Sequence, residues 1–335
     1  MKIGITYDLR DVYLKRGMTE EDAAEYDRRD TIESIATAIE ALGYETDRIG
    51  NYEQLMTRLL VGTRWDLVFN IAEGYGGLGR ESLIPALLDS YDIPYTFSDP
   101  LVLALTLHKA MAKRVVRSMG IPTPDFFVYD HDHRDFNGYM TYPLFAKPVA
   151  EGTSKGISGS SKLCDRDELE AACNALLVKY REPVLVEHYL SGREFTVGIL
   201  GTGNKARNLG VLEVFYKSDA EQGIYSFMNK ERCEELIEYR LADDEIAMRT
   251  CKFALAVWKG LGCRDAGRVD FRLDHKGIPN FLEVNPLAGL HPQHSDLCII
   301  ASKTGMSYKK LIGEIIESAL DRYPLLRERS AVMHA

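Results

Sequence analysis

The residues with the most chemical potential lie in two short runs, Gly267-Arg268-Val269-Asp270-Phe271 and Phe281-Leu282-Glu283-Val284-Asn285-Pro286. The polar, glycine-ending connection Asp274-His275-Lys276-Gly277 has the composition of a hairpin turn, so the two runs read as neighbouring strands. Side chains alternate along a strand, which puts Arg268 and Asp270 on one face, and Glu283 and Asn285 likewise. A register that sets Asp270 opposite Glu283 also sets Arg268 opposite Asn285. Two carboxylates and an amide oxygen would then converge where like charges repel. That arrangement calls for a cation, and hard oxygen donors favour magnesium, which commonly shares its coordination with the phosphates of a nucleotide. The plain alternative is a solvated hairpin with scattered charges.

A second chemical segment begins at Ala146-Lys147-Pro148 and runs through Glu151-Gly152-Thr153-Ser154-Lys155-Gly156-Ile157-Ser158-Gly159-Ser160. Glycines let a backbone approach an anion closely, and successive amides and hydroxyls can donate to phosphate oxygens. A lysine beside them adds a point charge. The spacing is not that of a P-loop, which requires GxxxxGK[ST] at the start of a helix. A third segment, Leu185-Val186-Glu187-His188-Tyr189-Leu190, leaves an apolar strand and enters Gly192-Arg193-Glu194. Glu187 and Glu194 flank a short linker, where carboxylates could hold a purine edge and a ribose beside an apolar slot. Read singly, they could equally be surface glutamates.

These groups need elements to position them. A chain of 335 residues can bury several cores, and 45% hydrophobic with 27% charged residues is ordinary for a globular protein. A net charge of −9 argues against a nucleic-acid surface, and no apolar run is long enough to cross a bilayer. The sequence enters a strand pattern at once, without a signal-peptide core, and its six cysteines form no CxxC pair. Reduced thiols and a cytoplasmic location are therefore expected. The first third alternates strand and helix patterns: a strand over 2–7, a helix over 31–42, a buried strand over 66–71, a helix over 83–90 and a short strand at 93–95. That order predicts a parallel sheet with helices on both faces. The charged stretch 10–30 is longer than an ordinary connection and reads as either a solvated helix or a lid. A helix over 101–119 leads to Gly120-Ile121-Pro122-Thr123-Pro124, a stiff boundary. Beyond it lie strands at 125–129, 143–148, 183–187, 195–200 and 209–215, with helices at 167–180, 243–261 and 307–323. The tail after 325 is expected to fray.

Together these pieces resemble the ATP-grasp superfamily and, within it, the D-alanine–D-alanine ligase family. Four blocks in order carry the resemblance: Val68-Phe69-Asn70 through Pro94-Tyr95-Thr96, Pro143 through Gly156, Val184 through Leu200, and Arg268 through Ser295. The resemblance implies an α/β protein with an amino-terminal, Rossmann-like parallel-sheet domain (1–108) and two α+β ATP-grasp subdomains (109–190 and 191–324). It implies phosphorylation of a carboxylate by ATP, followed by attack of an amine on the acyl phosphate to give an amide. By position, Lys109 and Lys147 would contact phosphates, Glu187, His188, Leu190 and Leu282 would surround adenine, and Glu194 would hold the ribose. Asp270, Glu283 and Asn285 would bind two magnesium ions, with manganese as an alternative metal. Arg268 and the Gly289 amide would stabilise developing charge, with Thr153 and Ser154 beside them. The partners implied are small amino-acid or amine substrates and a second copy of the chain in a homodimer, with neither nucleic acid nor membrane.

Departures from the family pattern fall on the substrate side. Ile71-Ala72-Glu73-Gly74 stands where a histidine is usual, and Thr153 where a serine is common. Leu290-His291-Pro292-Gln293-His294-Ser295-Asp296 carries a one-residue insertion after Gly289. The Lys–Tyr pair expected over the phosphates has only Lys217, Tyr225 and Lys230 as candidates, and Asp30 or Glu33 is nearest to the expected ammonium-binding carboxylate. Glu73, His294, Ser295 and Asp296 complete the substrate candidates, with Glu73 and Asp296 favouring a cationic group. The leading expectation is a ligase joining two amino acids, with the D-alanyl dipeptide as its foremost product. A ligase using another amino acid, amine or hydroxy acid is one alternative. A nucleotide-binding protein without turnover is the alternative from another class.

Overall fold

A computed structural model describes residues 1–333 apart from 131–139, 222, 225, 227, 230 and 231. The chain begins β1 (Lys2–Thr6), α1 (Arg10–Lys15), α2 (Arg29–Ala41), β2 (Glu45–Gly50), α3 (Tyr52–Leu60) and β3 (Leu67–Asn70). The three strands form a parallel sheet in the order β2-β1-β3. Ile3 and Ile5 of β1 are buried with Ile32, Ile35 and Ile39 of α2, whose spacing gives that helix one apolar face. The predicted strand at 93–95 is reduced to one parallel bridge between Val68 and Tyr95.

After α4 (Leu83–Ser90), the single helix expected over 101–119 is instead two, α5 (Pro100–Leu107) and α6 (Lys109–Ser118). The break has a tertiary cause: the Lys109 amide donates to the Val149 carbonyl at 2.9 Å instead of continuing the helical ladder. His108 leaves the helical region with ψ 89°, and its ring accepts from the Met111 amide. Lys109 therefore begins a helix beside the Gly/Ser loop.

The second sheet takes β4 (Phe126–Tyr129), β5 (Leu144–Pro148) and β6 (Lys162–Leu163), then α7 (Arg166–Tyr180) and β7 (Val184–His188), in the antiparallel order β4-β7-β5-β6. The third contains β8 (Glu194–Leu200), β9 (Arg207–Tyr216), β10 (Ile237–Leu241), β11 (Ala266–Leu273) and β12 (Pro279–Asn285), ordered β10-β9-β8-β11-β12. Helix α8 (Glu245–Leu261) buries Trp258 and Val257 against this sheet. The closing helices are α9 (Asp296–Lys303), α10 (Tyr308–Leu320) and α11 (Pro324–Met333). The tail expected to fray is thus helical as far as Met333. Pro324 suits a first helical position, and Leu326 packs on the core. Among the described residues Cys164, Cys173, Cys251, Cys263 and Cys298 are free thiols, and no helix is long and apolar enough to cross a membrane.

The charged stretch 10–30 is neither a plain solvated helix nor a detached flap. Tyr13 stacks on Tyr26 at 4.1 Å in a small core with Ala23, and the Gly152 amide of the Gly/Ser loop donates to Glu25 of the same stretch.

The first and third sheets share a core in which Ile312, Ile315 and Ile316 of α10 join Ile35, Ile39 and Phe69. Asp265, fully buried, secures this junction. It accepts from the Phe97 amide at 2.7 Å, Ser318 Oγ at 2.8 Å and Arg322 Nη2 at 3.0 Å. Removing one partner of a buried ion pair leaves the other uncompensated. Asp265→Ala is expected to cost about 3 kcal/mol or more in urea unfolding, whereas a loss below about 1 kcal/mol would show that the junction does not depend on this carboxylate.

Candidate active site

Antiparallel pairing of β11 with β12 sets Arg268 opposite Asn285 and Asp270 opposite Glu283, the register the alternation predicts. Gly267, just before Arg268, has no room for a side chain: a Cβ would lie 2.4 Å from the Asn285 carbonyl and 2.7 Å from Trp258. Arg268 contacts Asp270 directly, and its Nε lies 3.6 Å from Asp296 and its Nη2 3.9 Å from Glu283. Asn285 turns its amide nitrogen toward Asp270 at 3.4 Å and Glu283 at 3.3 Å. Burial lowers the tendency of Arg268 to stay protonated, but Asp270, Asp296 and Glu283 outweigh it and hold the guanidinium firmly cationic. Burial likewise pushes Asp270 up to about 7 against the pull of Arg268, while Glu283 is held low because Lys109, Arg268 and Lys147 overcome its burial.

The donor set fits a divalent cation in its chemistry. Asp270 Oδ1 is buried without a hydrogen-bond partner among the described residues. No three His, Cys, Asp or Glu side chains converge on one metal-sized point among those residues. Two carboxylates and an amide therefore leave most of a coordination shell to outside oxygens such as phosphates.

Two cavities meet at this hairpin. Arg268, Glu283 and Asp296 line both. The first cavity, about 350 Å³, reaches from Gly289, His294 and Ser295 to Asp27, Glu73 and Glu81. The second is bounded by Lys147, Ser154, Glu187, His188, Leu190, Glu194 and Leu282, among others. Glu187 is 3% exposed and gripped by two lysines, Lys147 at 2.8 Å and Lys113 at 2.7 Å. Their charge overcomes its burial and keeps it ionised. Lys113 was not predicted; its place one helical turn after Lys109 was the available signal. Lys109 donates to the Glu151 carbonyl at 2.6 Å and lies 3.6 Å from Glu283. Glu194 accepts from Tyr216 at 2.6 Å and lies 3.4 Å from Arg272. Thr153 faces the first cavity and Ser154 the second, so the Gly/Ser loop lies between them.

On the substrate side two predicted carboxylates, Asp30 and Glu33, lie outside the lining of the first cavity. Glu33 pairs with Arg48 at 2.6 Å on an exposed face outside the cavity, because its position along α2 points away from the cleft. Asp30 is exposed and meets His291 Nε2 at 3.4 Å. Asp27, missed in the sequence, faces the cavity instead, just before the N-terminal cap of α2. Burial, then Asp8 and Asp30, push its carboxyl up to about 8. Glu73 is raised well above its ordinary value by burial and then Glu81, and burial raises Glu81 to about 7. His294 stacks on His291 at 4.4 Å, and Ser295 Oγ accepts from the His291 amide. Lys217 is exposed just after β9, while Tyr225 and Lys230 lie outside the described residues.

Residues 115–317 match the sequence model of the family described as "D-ala D-ala ligase C-terminus". A D-alanine–D-alanine ligase of Aquifex aeolicus is 34% identical over 288 residues, covering 85% of this chain and 93% of that protein. The chain belongs to the D-alanine–D-alanine ligase family. An uncharacterized protein of Sinorhizobium fredii is 32% identical over 307 residues, covering 87% of this chain and 88% of its own length. The fold is that of the Bacillus anthracis D-alanine–D-alanine ligase crystallised with ATP, with TM-score 0.74, 23% identity and coverage of 98% and 99%. The VanG D-Ala:D-Ser ligase of Enterococcus faecalis gives TM-score 0.71 at 21% identity, covering 95% of this chain and 99% of that one. This family member is an ATP-grasp ligase that uses ATP to form a carbon–nitrogen bond.

A fixed cation where charge develops acts chiefly on the transition state. Arg268→Ala is expected to lower kcat by roughly 10²–10³ while the ATP KM changes less than about threefold in a coupled ADP-release assay. An equal loss in ATP affinity would place Arg268 in ground-state binding instead.

Proposed function

We propose that the protein joins two amino acids through an acyl phosphate formed at the seam of the two cavities. The observation that carries this reading is the sharing of Arg268, Glu283 and Asp296 by both cavities, so that one cationic group and the acidic hairpin face nucleotide and amino acid together. A carboxylate oxygen of the first amino acid attacks the γ-phosphorus of ATP, and ADP leaves. The free amine of the second attacks the acyl carbon, phosphate leaves, and the nitrogen gives up one proton, to phosphate or solvent, keeping the other as the amide N–H.

Lys109 and Lys147 would neutralise phosphate charge, Glu187 with His188, Leu190 and Leu282 would hold the base, and Glu194 the ribose. Arg268 and the Gly289 amide would face the acyl oxygen, with Thr153 and Ser154 on either side of the transfer. Asp270, Glu283 and Asn285 would hold magnesium, which supplies charge neutralisation of the triphosphate. Division at 108/109 and 190/191 would let the nucleotide enter between the two ATP-grasp halves. Glu283→Ala should abolish measurable turnover and flatten its dependence on added magnesium; near-normal turnover that still responds to magnesium would remove Glu283 from the metal set.

The relatives' names make D-alanine the first candidate for both substrates. A second reading, with one substrate carrying an additional cationic group, is favoured by Asp27, Glu73 and Glu81, three cavity carboxylates raised by burial and by neighbouring acids. An ATP-turnover panel of D and L amino acids, including diamino acids, decides between them, with product mass identifying the amide. Turnover with D-alanine alone would discard the cationic reading.

The sign of the pH dependence follows from Asp27. Its folded value of about 8 exceeds its ordinary 3.8, so the ligand-free fold keeps a proton that the unfolded chain has shed. Stability should therefore fall as pH rises across that window, and a cationic amino acid should bind more tightly toward pH 8 with release of a proton. Asp27→Asn should flatten both trends in thermal melts and calorimetry; unchanged slopes would relieve Asp27 of this role.

A further inference from the structure

One buried cation of the second cavity has no part in the reaction scheme above. Arg272 lies on β11 two residues beyond Asp270, which is itself two beyond Arg268. Pairing with β8 is unbroken over this stretch and sets Arg268 opposite Gly198, Asp270 opposite Thr196 and Arg272 opposite Glu194. The three side chains therefore share one face of the strand, spread over about 13 Å of its length. All three line the second cavity. Arg272 Nη1 lies 3.4 Å from Glu194 Oε2, with 10% and 13% of the two side chains exposed. Tyr216, at the end of β9, donates to the same Oε2 at 2.6 Å. Burial and then Glu194 push the Tyr216 hydroxyl up, so it keeps its proton and remains a donor. Both contacts fall on Oε2, which leaves Oε1 to a ligand in the cavity that Glu194 lines.

Arg272 also touches the connection between β7 and β8. Its Nε donates to the Gly192 carbonyl at 3.3 Å, and its guanidinium carbon stands 5.5 Å from the centre of the Tyr189 ring. The connection is pressed onto β11: the Gly192 amide donates to the Leu273 carbonyl at 3.1 Å, and a Cβ on Gly192 would lie 2.7 Å from that oxygen. The plain reading of Arg272 is thus a brace for this connection. Its charge points further. Hydrogen bonds to Gly192 need no particular partner acid, whereas the guanidinium is turned on the one carboxylate whose second oxygen is spared. An ionised carboxylate accepts and cannot donate, so the groups it fits are hydroxyls.

We propose that Arg272 is a positioning residue for the nucleotide: with Tyr216 it fixes Glu194 so that the spared oxygen meets the ribose hydroxyls, and the site prefers ribonucleoside to deoxyribonucleoside triphosphates. This rests on the ligase reading above, which puts the ribose at Glu194. A site built to bond a hydroxyl rejects the analogue lacking it, because the buried polar group is then left unpaired. That rejection is sharp only when the carboxylate cannot swing away, and Arg272 with Tyr216 prevents it by holding one oxygen from two sides. Arg272 stands about 13 Å along the strand from Arg268, so it acts on nucleotide binding and not on the charge that develops at the γ-phosphorus.

Calorimetry with ATP, 2′-deoxy-ATP and 3′-deoxy-ATP, each with magnesium, reads the role directly. The wild-type protein should bind ATP roughly tenfold or more tightly than at least one deoxy analogue, the worth of a hydrogen bond to a charged group. In Arg272→Met that ratio should fall to about threefold or less, through weaker ATP binding with little change for the analogue. The ATP KM should rise about tenfold while kcat at saturating ATP stays within about threefold. Arg272→Lys should recover part of the preference, since it keeps the charge without the planar fork. Tyr216→Phe should lower the same ratio, and the double variant should lose less than the product of the single effects, as two groups holding one oxygen require. Equal weakening of all three nucleotides would make Arg272 only a brace and overturn the proposal. A wild-type protein without the preference, an unchanged ratio in Arg272→Met, or a kcat loss exceeding the change in KM would overturn it too. Should Arg272→Met fail to fold, Arg272→Lys and Tyr216→Phe are judged by the same ratio. A ribose preference that depends on Arg272, without amino-acid-dependent ADP release, would defeat the ligase reading alone, since calorimetry needs no turnover.

Discussion

The chemistry depends on a charge imbalance at the hairpin of β11 and β12. Arg268 stands among Asp270, Glu283 and Asp296, three acids drawn from three elements, with Lys109 approaching Glu283 from a fourth. Such a group is costly to bury unless further charges complete it. A nucleotide triphosphate alone would add negative charge and worsen the imbalance; divalent cations alone would repel Arg268. On the proposed reading the two together would balance, Arg268 offering charge to phosphates and the acids offering oxygens to cations. This is why the pairing register matters so much: a one-residue slip would send Arg268 and Asp270 to the opposite face. Gly267 protects the register by letting Trp258 and the β12 backbone close on the strand.

Around this centre the three sheets divide the work. The third sheet carries the acidic hairpin, the second supplies Lys147, Glu187 and the Gly/Ser loop, and the segments that follow β1 and β3 of the first contribute the far wall of the first cavity. The break between α5 and α6 belongs to the same design, since the Lys109 amide abandons its helix to bond Val149 at the loop's entrance. The shared core of α2 and α10 then makes the first and third sheets one packed body, with Asp265 and Arg322 at its seam.

The register of the acidic hairpin was legible in the sequence because its signals are local. Alternation alone yields the Asp270–Glu283 and Arg268–Asn285 pairs, and glycine, serine and lysine in one short segment announce the loop. The substrate side was not, because its residues meet only through tertiary structure. Asp27 and Glu33 are similar carboxylates near one helix, and only the direction of α2 against the sheet decides that Asp27 enters the cavity while Glu33 meets Arg48. The break at His108 was equally hidden: residues 101–119 contain neither glycine nor proline before the end, and a single long-range hydrogen bond overrides their propensity.

The asymmetry between the two sides has a physical root. Phosphoryl transfer needs phosphates, cations and donors in nearly fixed relative positions, so the residues serving it tolerate little variation in type. An amino-acid cavity need only match shape and charge, and charge can be matched by protonation as well as by substitution. Glu73 and Glu81, raised by burial, can be neutral beside an uncharged side chain and ionised beside a cationic one. Choosing the neutral ligand then costs only the free energy of keeping their protons, which shrinks as pH falls below their shifted values. If the proposed reading holds, the cavity's preference would then turn on how far burial raises those two carboxyls against the opposing charge of Arg80.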